Sequence, residues 1–313
     1  MANPITRQNF ADALDPAFRK FYSDAERELP YVYRSIFNVL TSNKNIEKDS
    51  GISGLGTLVE KAEGAAITSD TLYQGYDSTY THKTYALKTS ITKEMIADDQ
   101  FREVEKRAKG LAIAGNRSVE TAASDVLNYG WTSGGGGKAA FLSGGDAKAL
   151  FASDHPRSDG GTAQSNTTTM DLAEDSIETI LVAMRETLDD RGQLMLVRPD
   201  KLVIPPALEK EAKILLNSSQ RIGTANNDIN PYEGVLTPIV WPYIANVTAG
   251  GSDTAYSVLD SNLHSLNFFW RQQPNLENND DFDTKDLEYS LDARWSCGFS
   301  GWRGTFGSKG DNS

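Results

Sequence analysis

The stretch Leu287-Glu288-Tyr289-Ser290-Leu291-Asp292-Ala293-Arg294-Trp295-Ser296-Cys297-Gly298-Phe299 decides the fold. Every second residue from Leu287 to Phe299 is apolar, and Glu288, Ser290, Asp292, Arg294, Ser296 and Gly298 fill the gaps. Successive side chains of an extended strand point to opposite faces, so this period predicts one strand with a buried and a polar face. At about 3.3 Å per residue the strand spans roughly 43 Å. Gly301 then interrupts, and Trp302–Phe306 continues in the other parity.

An element of the same reach lies upstream. Phe101, Val104, Ala108, Leu111, Gly115, Val119, Ala122 and Val126 advance by threes and fours, which predicts an amphipathic helix over Asp98–Asn128. Its length is roughly 45 Å at about 1.5 Å per residue. Asp98 or Asp99 can cap the first turn. Gly110 and Gly115 each cost about 1 kcal/mol relative to alanine in a helix interior. Two helices with a break there are the alternative, and in a continuous helix these glycines mark a place where it can bend. A helix laid along the strand buries both apolar faces, and we expect that packing to form the subunit's backbone. A compact chain of this size has a radius of gyration of only about 20 Å. Elements of this length therefore imply a flat or elongated subunit that finishes its packing against neighbours.

Between and around these elements the patterns are weaker. Met1–Asn45 carries Phe10, Leu14, Phe18 and Phe21 near helical spacing, but Pro4, Pro16 and Pro30 divide it. This reads as an arm with one or two brief helices and no core. Gly51–Ile91 is rich in Gly, Thr, Ser and Tyr and predicts a two-stranded excursion with a tip near Ala62–Tyr76. Tyr76, Tyr80 and His82 share one parity while Tyr85, Leu87, Thr89 and Ile91 share the other, as a bulge or bend near Lys83 and Thr84 would leave them. An isolated hairpin is marginal in water, so something else must cover it. Thr132–Lys138 reads as a turn, Phe141–His155 as a short strand pair and Gly160–Thr169 as a loop. Asp171 and Glu174 have capping-box spacing ahead of Ile177, Ile180, Leu181, Met184 and Leu188. Strands at Leu194–Arg198 and Lys201–Ile204 follow, then a helix from Pro206 to Asn217. After a loop at Asn226–Pro231, strands are expected at Val235–Trp241, Ala255–Asp260 and Leu266–Trp270. Alternating helices and strands over Asp171–Trp270 indicate a mixed lobe, so the chain as a whole is α+β.

Composition narrows the function. With 39% apolar and 24% charged residues the chain is neither disordered nor membrane-embedded. No apolar run approaches the ~20 residues of a bilayer span, and Met1–Arg19 lacks the apolar stretch of a secretory signal. Cys297 is the only cysteine, which excludes an intrachain disulfide and fits a reducing compartment. A net charge of −12 argues against gripping a nucleic-acid backbone. Glu277, Asp280, Asp281, Asp283, Asp286, Glu288 and Asp292 face only Lys285 in their stretch, and read as a solvated loop leading into the strand.

Candidate chemistry is thin. His82, His155 and His264 lack spaced Cys or His partners, so no metal site is expected. Ser153, Asp154 and His155 are adjacent, but neighbours on a strand or turn do not face one another, and no nucleophile elbow is present. Gly134–Gly137 before Lys138 departs from a phosphate loop at Thr132 and Ala139, and Gly54 and Gly56 are followed by Val59 instead of a third glycine. Asn166 opens a glycosylation triplet without a secretion signal. Trp241, Trp270, Trp295 and Trp302 read as core or interface anchors. No catalytic, cofactor-binding or metal-ligating residue is assigned.

Three stretches resemble the Mu-like major head subunit family of tailed bacteriophages: Ile91-Thr92-Lys93-Glu94-Met95-Ile96-Ala97-Asp98-Asp99, Ala149-Leu150-Phe151-Ala152-Ser153-Asp154-His155-Pro156, and Arg294 through Trp302-Arg303-Gly304. The order of parts along nearly the whole chain carries the resemblance. It implies the tailed-phage major capsid fold: an N-terminal arm (1–50), an extended loop (51–91) lying over an adjacent subunit, and a spine helix with peripheral domain (92–170). An axial α/β domain (171–275) and a return to the peripheral domain with a long C-terminal strand (276–313) complete it. The implied function is a major capsid protein, not an enzyme, that assembles in the host cytoplasm into pentamers and hexamers of an icosahedral shell. That shell would enclose double-stranded DNA without sequence-specific binding or a membrane. A separate scaffolding protein and a portal are the partners implied, and the sequence leaves a decoration protein open. Some relatives join subunits through a Lys–Asn bond, but no motif around Lys61 matches the donor. Two other classes stay open: the shell of an encapsulin-like bacterial nanocompartment, and a cytoplasmic hydrolase using His155.

Overall fold

The computed structural model describes residues 7–72, 74–92, 94–95, 101–132, 144–220, 228–280 and 286–311. In chain order its elements are α1 (Arg7–Glu28), β1 (Asn38–Thr41), β2 (Ile46–Ile52), β3 (Gln74–Thr81), β4 (Lys83–Ile91) and α2 (Phe101–Asn128). There follow β5 (Thr167–Thr168), α3 (Glu174–Arg185), β6 (Lys201–Ile204), α4 (Glu209–Asn217), β7 (Thr237–Val240) and β8 (Tyr256–Leu259). The chain closes with β9 (Leu266–Asp280), β10 (Leu287–Phe299) and β11 (Thr305–Ser308).

The alternating stretch is β10, with the bounds its period predicts. It is an inner strand of a four-stranded sheet ordered β1-β9-β10-β4, paired antiparallel on one side to β4 (Leu287 opposite Ile91, Trp295 opposite Lys83) and on the other to β9. Strand β9 has 15 residues against 13 in β10. The surplus lies between Trp270 and Asn275. Pro274 sits in that interval and has no N–H to give the ladder, so a bulge is the form the strand must take there.

The helix α2 lies on the apolar face of this sheet, as expected, and it is continuous through Gly110 and Gly115. Toward its C-terminus Val119, Ala123, Val126 and Leu127 share a core with Ala293, Trp295, Cys297 and Phe299, and the Cys297 thiol donates to the Ala122 carbonyl at 3.1 Å. Toward its N-terminus Val104, Ala108, Leu111 and Ala112 pack with Leu287, Tyr289 and Leu291. Gly115 stands between: a Cβ there would lie 2.8 Å from Leu291 Cδ2, so glycine permits the close approach. Two interior glycines cost about 2 kcal/mol together. Each large side chain buried along the seam contributes about 1.5–3 kcal/mol, so the unbroken helix wins over the alternative with a break. Asp98 and Asp99 lie outside the described residues.

The N-terminal segment departs from expectation. It forms one 22-residue helix with Pro16 inside it, not brief pieces, and it does carry core. Phe18, Tyr22 and Ala25 are buried against α2 and β10, and the Phe18 ring stacks on Tyr289 at 3.7 Å. An interior proline costs about 3 kcal/mol, which burial of two aromatic rings offsets. Tyr33, Ile36 and Phe37 then enter the larger core.

The excursion is also divided differently. Strand β3 pairs with β2, whereas β4 leaves that pair and joins β10. The parity switch marks this change of sheet at His82, not a bulge in one strand. Residues 53–72, which include most of the expected tip, form no strand.

The second sheet, ordered β5-β11-β8-β6-β7, packs α3 and α4 over Leu202, Ile204, Val258 and Phe306. Lys201–Ile204, the Pro206 start, and the cores of Val235–Trp241 and Ala255–Asp260 fall where the pattern places them. Trp302–Phe306 is not a continuation of β10: it leads into β11, in this other sheet. No strand pair forms within the described part of Phe141–His155, where His155 bridges Gln164 instead. Leu194–Arg198 is no strand either: Val197 is buried and Leu194 and Leu196 are exposed, but the only ladder contact is a single bridge to Leu188. Helix α3 begins at Glu174, too late for Asp171 to cap it. Ser176 Oγ accepts the Ala173 N–H and donates to the Ala173 carbonyl. The acidic stretch is not all loop: Glu277 to Asp280 belong to β9, while 281–285 lie outside the described residues.

Candidate assembly surfaces

The β2–β3 pair is riveted at its base to the second, polar face of β10. Tyr80 Oη lies 2.7 Å from Ser300 Oγ, Ser78 donates to the Ser300 carbonyl at 3.2 Å, and Ser296 Oγ lies 3.0 Å from His82 Nδ1. Ser78, Tyr80 and His82 are consequently buried. Burial pushes the Tyr80 phenol up to about 12 and lowers the His82 imidazole, which keeps both neutral. The polar face of β10 is thus only half open to water, which its sequence does not announce.

Beyond this base the chain exposes apolar side chains. Leu55, Leu58, Val59, Ile67 and Leu72 are all exposed, Leu58 at 102% of its reference area. Each would contribute about 1.5–3 kcal/mol if another surface covered it. A second open region is β4, an edge strand whose residues from Lys83 to Lys88 are exposed. Tyr85 stacks on Trp295 at 4.0 Å, and Leu87 is 53% exposed. Between β4 and α2 a groove of about 400 Å³ is lined by Tyr85, Leu87, Ala114, Gly115, Leu291 and Trp295. Long apolar edges are what sheet proteins usually cover or charge, and Lys83 and Lys88 supply charge here.

A pocket of about 600 Å³ borders Lys148, Ser153, Asp154, Lys309 and Asp311, but His155 does not line it. His155 is fully buried, stacked on Trp302 at 4.6 Å, with Nδ1 at 2.7 Å from Asp146 Oδ2 and Nε2 at 3.1 Å from Asn166 Oδ1. Ser153 and Asp154 are exposed, and Asp154 pairs with Lys148. The three neighbours therefore do not converge, which removes the geometric basis of the hydrolase reading. Asn166 is buried and donates to the Leu150 carbonyl at 2.7 Å, so the glycosylation triplet is a structural tie. His264 is buried apart from His82 and His155, and its imidazole is lowered by burial. Gly134–Lys138 lie outside the described residues, and Lys61 is exposed in the 53–72 loop. Trp241, Trp270, Trp295 and Trp302 are all core residues, as read.

One polar group of the core is barely signalled by the sequence. Glu120 of α2 is buried, accepting the Tyr33 N–H at 3.3 Å and the Trp241 indole N–H at 2.7 Å. Burial raises its pKa. Its helical position on the seam side is the one available signal, since both partners are remote in sequence.

The fold has solved counterparts. The procapsid protein of bacteriophage JBD30 matches 97% of this chain and 76% of its own, with a TM-score of 0.52 and 16% identity. The JBD30 capsid matches 69% of this chain and 91% of its own, with a TM-score of 0.52 and 14% identity. The capsid of the native GTA particle matches 89% of this chain and 90% of its own, with a TM-score of 0.52 and 11% identity. These likenesses establish the tailed-phage capsid fold. No curated protein matches the chain in sequence. A family model described as phage capsid protein matches residues 75–306, well over half of the chain, and takes in β4, the α2–β10 seam, nearly all of β3 and both larger sheets apart from β1 and the end of β11. The chain therefore belongs to the phage capsid protein family, as a major capsid protein that forms the shell of a phage head.

Proposed function

We propose that this subunit belongs to the Mu-like branch of the family, acts without catalysis, and closes an icosahedral head of pentamers and hexamers around double-stranded DNA. The exposed apolar side chains of 53–72, with no cover from their own chain among the described residues, carry this reading. Repetition of one such contact around closed symmetry makes a marginal interface cooperative. In this reading 1–50 is the arm, 51–91 the extended loop, 92–170 and 276–313 the peripheral domain, and 171–275 the axial domain. The net charge of −12 fits a wall that confines DNA instead of gripping it. Assembly takes place in the host cytoplasm with a separate scaffolding protein and a portal as partners.

Electron microscopy and sedimentation of the chain co-expressed with its neighbouring genes test the proposal. Closed shells of uniform size containing DNA are expected. A stable monomer at every concentration, with the apolar side chains of 53–72 buried against its own body, would overturn it.

A further inference from the structure

The exposed loop 53–72 is not a free tether. Asp70 Oδ2 accepts the Gly56 N–H at 2.7 Å and Asp70 Oδ1 accepts the Thr71 N–H at 2.8 Å, which ties the two limbs of the loop together. The same carboxylate receives the Arg191 guanidinium in a two-pronged pair, Nη1 to Oδ2 at 2.5 Å and Nη2 to Oδ1 at 3.1 Å. Nη2 also donates to the Thr71 carbonyl at 2.5 Å. Arg191 with these amide donors holds the Asp70 carboxyl down at about 2. Planar two-pronged pairing fixes direction as well as distance, which a lysine could not do.

The anchor is itself rigid. Arg191 sits in a turn closed by Asp189, whose Oδ1 accepts the N–H groups of Arg191 and Gln193 at 2.8 Å each. Gly192 holds a left-handed φ of 77°, and any Cβ there would lie 2.4 Å from Arg157 Nη2. Arg303 donates to the Leu188 carbonyl and to Asp190, both at 3.0 Å, fixing the turn to the start of β11. On the loop side, a Cβ on Gly56 would meet Arg191 Nη1 and Asp70 Oδ2, each at 3.1 Å. Both partners are thus shaped for close approach, although the loop adds no side chain to any buried cluster among the described residues.

We infer that the Asp70–Arg191 clamp sets the direction in which loop 53–72 leaves the subunit, presenting Leu55, Leu58, Val59 and Ile67 as one preformed surface to a second copy of this chain. Without it, ordering the loop would be deferred to assembly and would weaken the contact. The inference rests on the shell reading for its consequence, but not for its geometry.

The test uses Arg191→Gln in the full chain, which leaves the Asp70 acceptors in place. Hydrogen exchange of the unassembled subunit reads the Gly56 and Thr71 amides, and electron microscopy reads shell yield. The expected result is exchange about tenfold faster at Gly56 and Thr71, unchanged protection in α2 and β10, and fewer closed shells. Should α2 and β10 also lose protection, Asp70→Asn on the exposed loop makes the same test without touching the turn. Unchanged Gly56 and Thr71 exchange in the folded variant overturns the clamp. Faster exchange with undiminished shell yield overturns its role in assembly. Wild-type chain that forms no shells defeats the shell reading alone, because the exchange measurement still judges the clamp.

Discussion

The seam between α2 and β10 and the outgrowth from Ile46 to Thr81 use similar apolar residues to opposite ends. Along the seam Tyr289, Val126 and Ala123 are fully buried, and even Gly115 is set by the space Leu291 leaves. In the outgrowth, burial among the described residues is confined to Ser53 and to Ser78 and Tyr80 at the base beside His82, while Leu58 and Ile67 stand in water. Residues that find partners within the chain determine whether the subunit folds. Residues that find none have a purpose only if another copy arrives. Substitutions in the two regions should therefore separate, one set lowering the stability of the lone subunit and the other sparing it.

The largest effect is expected at Trp295, which packs between Tyr85 and Trp270 in the seam. Trp295→Ala should cost about 3–5 kcal/mol in urea unfolding of the unassembled subunit. A loss near zero would mean that the seam is completed by neighbours too, and the contrast would fall. Next is Pro16, which α1 carries inside the helix at its own expense. Pro16→Ala should raise stability by up to about 3 kcal/mol, less the entropy the proline removes from the unfolded chain. A decrease would show that a bend at Pro16 serves the packing of Phe18 on Tyr289.

The seam was legible from the residues because both its elements keep an unbroken period for their whole length. Strand β9 was legible only to Trp270: past it, Arg271-Gln272-Gln273-Pro274-Asn275 has no alternation, and remote partners hold the strand to Asp280, β10 by pairing and α1 through Arg19 on the Leu276 carbonyl and Asp15 on Asn278. The helix through Pro16 was hidden because local propensity opposed it and its compensation lies on Tyr289, far along the chain. The exposed loop could be read as unfinished, since Gly51–Ile91 had no face to bury. Its clamp could not, because Asp70 and Arg191 are remote in sequence and only the folded chain brings them together. Likewise Ser153, Asp154 and His155 were adjacent in text, yet the fold sends His155 inward and leaves the other two outside.

Glu120 sharpens the comparison through pH. Its folded pKa is raised by burial above the ordinary carboxylate value, so the folded chain binds a proton that the unfolded chain has released. The stability this group contributes is present below the unfolded pKa, near 4.5, and is lost as pH rises through the raised folded value. Glu120→Gln does not titrate, but Tyr33 and Trp241 donate to different carboxyl oxygens, Oε1 and Oε2, and the variant puts an NH2 donor in the place of one of them. The variant should be less stable than wild type by about 1 kcal/mol in acid, with the deficit shrinking as pH rises. Urea midpoints of both proteins between about pH 4 and pH 8 measure this. A difference independent of pH would show that Glu120 is not the titrating group.

The smallest stability effect should come from the most exposed residue. Leu58→Ser removes an isobutyl group that meets only water, so urea unfolding of the lone subunit should change by less than about 0.5 kcal/mol. Shell assembly should nonetheless suffer, because each copy would lose apolar area that a neighbour covers, and a closed shell repeats that loss at every equivalent contact. The paired measurement is the decisive form of the contrast: Trp295→Ala must move the unfolding curve, and Leu58→Ser must move only the concentration at which shells appear. If Leu58→Ser instead destabilised the lone subunit as a core substitution does, the loop would be packed on its own body, and the division between folding surface and assembly surface would be lost.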